Sequence, residues 1–557
     1  MVKSIKIGVA NKKDQPMRTT ISFIAIFLLY ISANAQPFTA AELSDYTSTM
    51  TNAEVKAYIA GLEAMSPYVK NFSLGKSAGG QDIDYFVMAN PMPSNPGQID
   101  RSKRVVVYVQ ANIHAGEVEG KEAVLMYARD VLTRNLEVLK RVVLVVCPNF
   151  NIDGNEPFST MNRPHQNGPS KGVGVRYNAE MLDLNRDAMK LETSEMRGLL
   201  TSVIRYWDPA ISLDCHATNG AYREEPVSFT WMMNPNTHPW LIDFMRDDMM
   251  PSVSQALMSK HNVLNCYYGE FVERHNLNSG WISYASEPRY FTNYLGLRNR
   301  LAILNENNVY SDYKSRVQGC YALISCVVDY AYNNVQKINS LITSVEKSSA
   351  DRGIYKAQPD SFAIAYDVRP TPNPVTVRAN VMLESVDENG RKVFTKTDEI
   401  KPVTLPYLAH YYPTRNVVFP TAYILKYNDR RVIDNLITQG VKLHRLTVDT
   451  ELEVEEFNFA SIKPEGRINQ GHYCQQVEGA YENKRVTLPG ESVVVLTNQP
   501  LSNLICYLLE PQSNDCLLYW NFFDKYLTPQ WGRGYYPYPV YKITNSMDGV
   551  SLVEFGD

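Results

Sequence analysis

The sequence predicts an α/β fold, a mixed, mostly parallel sheet with helices on both faces, followed by a smaller β-rich C-terminal domain. Three observations carry that reading. From about residue 100 to residue 345, short contiguous apolar runs alternate with amphipathic helical stretches, the order that lays helices over a parallel sheet. The runs are β-branched and uninterrupted, as strands covered on both faces are. After about residue 345 the pattern gives way to alternating strands set off by Asn-Gly and Pro-Gly turns.

The first buried strand is Arg104 to Ala111, in which Val105, Val106, Val107 and Val109 leave no polar face. Glu119 to Leu132 follows as a helix and Val142 to Cys147 as a second strand. Glu192 to Trp207 is a second helix, whose Met196, Leu199, Leu200, Val203, Ile204 and Trp207 share one face. Ala210 to Cys215 and Leu301 to Asn305 complete four strands, and Lys314 to Tyr332 reads as a further helix. Residues 36–345 are therefore expected as one domain and 346–374 as a linker, polar at first and proline-rich from Arg369 to Pro374, with 375–557 as the β-rich accessory domain. Within the last, Asn389-Gly390 predicts a hairpin between Val375 to Val386 and Lys392 to Lys396. Pro489-Gly490 predicts a similar turn between Arg485 to Leu488 and Val493 to Thr497. Ala422 to Leu425, a helix around Val432 to Ile437, and Val441 to Leu446 are expected to form one βαβ unit.

Length and charge set limits on function. The 557 residues carry 55 basic and 59 acidic side chains, a formal charge of -4, which offers no electrostatic case for nucleic acid. Eight cysteines, none in C-x-x-C spacing, exclude a disulfide framework and a zinc ribbon. Residues 1–35 read as an export signal: basic residues precede the apolar run Ile21 to Ile31, and Ala33-Asn34-Ala35 supplies the small-x-small cleavage pattern before Gln36. Cleavage there removes five basic residues and one acidic residue and leaves 50 against 58, a charge of -8 on the exported chain. No later apolar stretch reaches the roughly 20 residues of a membrane span, so the mature chain is expected to lack a transmembrane segment and to be periplasmic or extracellular.

The chemistry-bearing residues gather at strand ends. His114-Ala115-Gly116-Glu117 follows the first strand, where an open α/β sheet presents its binding crevice, and an imidazole and a carboxylate three apart can both reach one zinc ion. On spacing alone that motif reads better as a surface turn. Convergence changes its weight. Asp183-Leu184-Asn185-Arg186-Asp187 follows a Gly-rich loop, His216 ends the strand ISLDCH, and Glu306 ends the strand LAILNE. Four polar clusters thus fall at one edge of one sheet, where ionisable groups without partners would be costly to desolvate.

In these residues the sequence resembles the zinc carboxypeptidase family of metallopeptidases, over roughly residues 45 to 345 and in the family's order along the chain. The resemblance implies one Zn²⁺ per chain held by His114, Glu117 and His216, with water completing an open site. It implies Glu306 as general base and proton shuttle, Asp183 as the carboxylate that orients the first histidine, and Asn185 with Arg186 as the dock for a peptide's free C-terminal carboxylate. Arg163 would polarise the scissile carbonyl, with Arg176 in the same loop as its competitor. The tyrosine that closes such sites is Tyr284, Tyr290 or Tyr294, with spacing favouring Tyr284. Residue chemistry agrees: arginine matches a carboxylate bidentately and stays charged, and zinc polarises a carbonyl while a nearby carboxylate moves the proton.

Gly116 departs from the family pattern, since many digestive members carry an arginine there. The stretch Pro288 to Arg300, rich in arginine and aromatic residues, is expected to line the specificity pocket. Cys215 adjoins His216, but successive strand residues point to opposite faces, which makes it a core thiol. Two other functions fit the same residues less closely. One is a zinc amide hydrolase on cell-wall peptides or N-acyl amino acids, and the other a non-catalytic peptide- or glycan-binding protein, against which Glu306 argues.

Overall fold

The computed structural model describes residues 36–555, and the export signal expected over residues 1–35 lies outside the described residues. Strands β1 (Val69–Lys76), β2 (Asp82–Met88), β3 (Val105–Ala111), β4 (Val142–Cys147), β5 (Ile211–Thr218), β6 (Val227–Trp231), β7 (Asn265–Tyr267) and β10 (Leu301–Asn308) form one eight-stranded sheet in the order β1-β2-β4-β3-β5-β10-β6-β7. Its centre, β4-β3-β5-β10, is parallel, while β1, β2 and β6 join antiparallel, so the sheet is mixed as expected.

Every residue of β3 and β4 is buried because both faces of the sheet are covered. Val105, Val107, Val109 and Ala111 point to one core, under the helices Glu119–Arg134 and Tyr313–Asn333. Val106 and Tyr108 point to the other, shared with Met196, Leu199, Leu200, Val203 and Trp207. That second core runs on without a break into the C-terminal region, through Tyr423, Leu436, Leu504 and Trp520. Roughly 25 cal/mol per Å² of apolar surface makes such a continuous core the main stabilising term. Among the described residues no helix is long and apolar enough to cross a membrane.

Three expectations change. The interval 346–374, expected as a linker, holds the end of the helix Val335–Arg352 and the strand β11 (Ser361–Pro370). Phe362 of β11 is buried, and Ala363 exchanges two hydrogen bonds of 2.9 and 3.0 Å with the side chain of Asn236. Proline misleads here because Pro370 closes a strand while Pro372 and Pro374 bridge to the next. β11 pairs with β14 (Tyr407–Val418), which in turn takes in β9 (Trp281–Ile282) and β8 (Glu270–Phe271), so the N-terminal and C-terminal regions share a sheet.

The hairpin of β12 (Val375–Val386) and β13 (Lys392–Leu405) forms as expected, with Gly390 at φ 75° in its turn. The Pro489-Gly490 turn does not make one. It joins β18 (Gln475–Leu488) to β19 (Val493–Leu496), which lie three strands apart in a seven-stranded antiparallel sheet with β15 (Ala422–Leu425), β16 (His444–Leu446), β17 (Thr450–Pro464), β20 (Val540–Ile543) and β21 (Leu552–Glu554), in the order β18-β17-β20-β15-β19-β16-β21. The expected βαβ unit has both strands and the helix Arg430–Gln439, but β19 lies between β15 and β16.

The loop that carries Asp183 to Asp187 is pinned from below. Asp187 and Lys190, both fully buried, are 2.6 Å apart, and Asp187 also accepts from the Thr193 hydroxyl (2.7 Å) and the amides of Glu192 and Thr193 (3.0 and 2.8 Å). Gln439 and Asn435 of the C-terminal region donate to the carbonyls of Ala188, Met189 and Lys190. Asp187→Ala leaves the buried Lys190 ammonium with Glu192, at 3.3 Å, as its remaining carboxylate partner and is expected to cost about 3 kcal/mol, read as a fall in the denaturant midpoint.

Candidate active site

Parallel pairing brings the predicted clusters together. His114 and Glu117 lie just past β3, His216 near the end of β5, and Glu306 opposite His216 in the register of β10. The loop after β4 returns Leu184–Arg186 as a single 3-10 turn, capped by Asp183 Oδ1, which accepts from the Asn185 amide at 2.9 Å. All nine predicted site residues except Asp183 and His216 line one cleft of about 300 Å³. Those two stand immediately behind it.

Carboxylates on the outer side set the histidines. His114 Nε2 is 3.1 Å from Asp183 Oδ1, and His216 Nε2 is 2.9 Å from Asp214 Oδ2, so each ring donates its Nε2 proton outward. The two Nδ1 atoms then face inward, 3.2 Å apart, at 3.1 and 2.9 Å from the oxygens of Glu117. Four ligands arranged tetrahedrally at about 2.0–2.1 Å from zinc are roughly 3.3 Å from one another, so this spacing matches within a few tenths of an ångström. Two imidazoles and one carboxylate are an N/O donor set that suits borderline-soft zinc. Among the described residues, His114, Glu117 and His216 are the one such group able to hold a metal.

Electrostatics separate the two glutamates. Burial works to raise Glu117, but His114 and Arg163, which donates to it at 2.7 Å, hold it well below the usual carboxylate range. Glu306 is pushed up to about 8, chiefly by burial and further by the charge of Glu117, against the opposing pull of His216. Only its backbone carbonyl is engaged, by Ser228 and Arg223, and among the described residues nothing donates to its carboxylate. Asp183 lies well below the usual range because His114, Arg186 and Arg176 outweigh its burial.

Both candidate arginines reach the cleft. Arg163 fills space that a side chain at Gly116 would take, since a Cβ there would stand 2.6 Å from its Nε. Arg176 is held through Nε and Nη2 by Asp183 (2.9 and 2.7 Å) with Nη1 toward His114. Arg186 stacks on the Tyr290 ring, 4.5 Å from its centroid. Asn185 lines the cleft, its Oδ1 accepting from the Phe291 amide at 2.9 Å and its Nδ2 lying 3.4 Å from His216 Nε2. Of the three tyrosines, Tyr284 and Tyr290 line the cleft and Tyr294 does not. The Tyr284 hydroxyl donates to Asn293 Oδ1 at 3.0 Å, whereas Tyr294 is buried and bonds Gln439. Within Pro288 to Arg300, Tyr290 and Thr292 border the cleft.

Some residues of the site fall outside the motifs. Asp214 sits two before His216 and so on the same face of β5, a placement the strand alternation in ISLDCH signals. It belongs to a buried chain in which the Tyr108 hydroxyl donates to Gln110 Oε1 (2.8 Å) and Gln110 Nε2 to Asp214 Oδ1 (3.2 Å). Gln470 accepts the Asp183 amide at 2.8 Å from 287 residues away, and Tyr268 and Leu304 complete the cleft wall. No local signal marks these last three. Cys215 is buried, one residue and one face away from His216.

The chain is 21% identical to Carboxypeptidase 2 of Trichophyton rubrum, over 85% of this chain and 84% of that protein. Among solved structures it is similar to a metallo-carboxypeptidase from Burkholderia cenocepacia (14% identity, TM-score 0.38, 51% of this chain and 69% of that one). It is likewise similar to carboxypeptidase A from Helicoverpa armigera (14% identity, TM-score 0.36, 60% and 83%). The sequence profile described as zinc carboxypeptidase matches residues 55–355, more than half of the chain, and with it the chain belongs to the zinc carboxypeptidase family.

Proposed function

We propose that the protein is an exported zinc carboxypeptidase that removes the C-terminal residue of peptides bearing a free carboxylate. The observation that carries the reading is the inward-facing pair of Nδ1 atoms and the Glu117 carboxylate, bracketed by outer carboxylates and set beside a glutamate to which none of the described residues donates. His114, Glu117 and His216 would hold one zinc, which when bound polarises a carbonyl and acidifies water. Arg186 and the Asn185 amide receive the terminal carboxylate, with Tyr290 keeping the guanidinium flat against its ring. Glu306 takes a proton from the attacking water and delivers it to the leaving amine. Arg163 and Arg176 present N–H groups to the carbonyl oxygen as it gains charge. Residues 36–345 carry this chemistry, the β-rich remainder is accessory to it, and residues 1–35 direct export.

Glu306→Gln is expected to abolish hydrolysis while zinc, counted by metal analysis, stays at one per chain. Because burial raises Glu306, the active deprotonated form is lost as pH falls through that raised value. The acid limb of kcat/KM in the zinc enzyme is therefore expected above the ordinary glutamate value of about 4.3.

Arg186→Ala is expected to lower kcat/KM on peptides with a free C-terminus about 10–100-fold, while C-terminally amidated peptides, already poor, lose little more. Equal losses on both would point to an amide hydrolase without carboxylate recognition. Asp183→Asn and Asp214→Asn each replace an outer carboxylate by a neutral amide and are expected to weaken zinc binding about 10–100-fold, measured by chelator competition.

A further inference from the structure

A second cavity, of about 240 Å³, shares no lining residue with the cleft. Trp231 at the end of β6 and Ile242 of the helix Pro239–Phe244 supply apolar wall, with Met233 and Pro235 from the segment between them. Arg369 of β11 and His410 and Tyr412 of β14 complete it. These last three lie beyond residues 55–355, the stretch that matches the zinc carboxypeptidase profile, so the cavity exists only with the C-terminal region in place.

Its unpaired polar groups are donors. Trp231 is 1% exposed, and its indole N–H finds no acceptor among the described residues, a costly arrangement for a buried donor. The Arg369 guanidinium sits 5.1 Å from the centroid of the Tyr412 ring and donates through Nη2 to His410 Nε2 at 3.0 Å. A guanidinium offers no acceptor, so His410 must accept at Nε2, which leaves its Nδ1–H as a further donor. Arg246 borders the cavity but is already paired, with Asp243 at 2.8 Å and with Asp247. Arg369 has no such partner: among the described residues no carboxylate comes within ion-pair distance of it. His410 registers the field. Burial first, then the charges of Arg369 and Arg246, hold its pKa below the ordinary histidine value against the opposing pull of Asp243.

An occupant must therefore bring acceptors for an indole N–H and a guanidinium, together with an apolar body to lie against Trp231, Met233, Pro235 and Ile242. We propose that this cavity is a second binding site, selective for small carboxylates with an apolar or single-ring body. Its position sets the occupant against the support of the cleft. Tyr411 lines the cavity and donates its hydroxyl to the Tyr284 carbonyl at 2.9 Å, and the Trp231 carbonyl lies 3.4 Å from the Tyr284 hydroxyl.

The test is calorimetric titration of the zinc-loaded full chain with 3-phenylpropanoate, in the Arg186→Ala background so that the carboxylate dock of the cleft is removed. One equivalent is expected to bind. Adding Arg369→Ala is expected to weaken that binding about tenfold, and the neutral analogue 3-phenylpropanamide is expected to bind about tenfold more weakly than the acid. Ile242→Trp, which fills the cavity from the helix and leaves Arg369 in place, is expected to block binding, with circular dichroism checking that each variant is folded. Equal affinity for acid and amide, or affinity unchanged in a folded Arg369→Ala or Ile242→Trp variant, would overturn the site, as would no binding at about 10 mM ligand. Binding present in the wild type and absent once Arg186 is replaced belongs to the cleft and overturns it equally.

Discussion

Everything in the cleft depends on keeping two imidazoles turned. Left to themselves, two buried histidines whose ring nitrogens lie within hydrogen-bond distance would share protons with Glu117 in several arrangements. Asp183 and Asp214 remove that freedom by accepting at Nε2 from outside, which turns each Nδ1 inward. Each carboxylate is held in turn. Asp183 takes Arg176 on its other oxygen, and Asp214 takes Gln110, itself fixed by Tyr108. Burial makes such a network costly if any member is unpaired, and for the same reason rigid when all are paired.

That rigidity draws on the C-terminal region. The Asp183 amide bonds Gln470, the carbonyls below Asp187 bond Asn435 and Gln439, and Arg289 beside Tyr290 pairs with Asp515 at 2.9 Å. Together with one core continuous from Val106 to Trp520, these bonds make the β-rich region a support for the loop that carries Asn185 and Arg186. A flexible lobe on a linker would leave those backbone groups to water and the loop free to move.

The sheet and its edge were legible because they are written in local chemistry. Contiguous valines at 105–109 and 142–146 mark strands covered on both faces, and a polar residue ending such a run has few roles other than a site. Asp214 was legible in principle, by the two-residue alternation that puts it on the face of His216. What stayed hidden is non-local. Gln470 is 287 residues from the amide it bonds, β19 enters between two strands that read as neighbours, and β11 is disguised by the prolines that end it. The tyrosine choice had the same limit: spacing places Tyr284 well, but only the fold shows its hydroxyl occupied by Asn293 and Tyr290 set against Arg186.

Two glutamates at adjoining strand ends illustrate how surroundings divide one residue type between two tasks. Glu117 lies among cationic and hydrogen-bonding groups that stabilise its charge, which suits a ligand that must stay ionised. Glu306 lies across from His216 in register, yet among the described residues no donor reaches its carboxylate, and burial together with Glu117 raises its proton affinity. A carboxylate with a strengthened affinity and a free face can accept a proton and return it within one turnover, whereas one locked by arginine cannot. The pairing also explains why the clusters occupy neighbouring parallel strands: β5 and β10 hold His216 and Glu306 one strand spacing apart, near enough to act on the same water and too constrained to collapse onto each other.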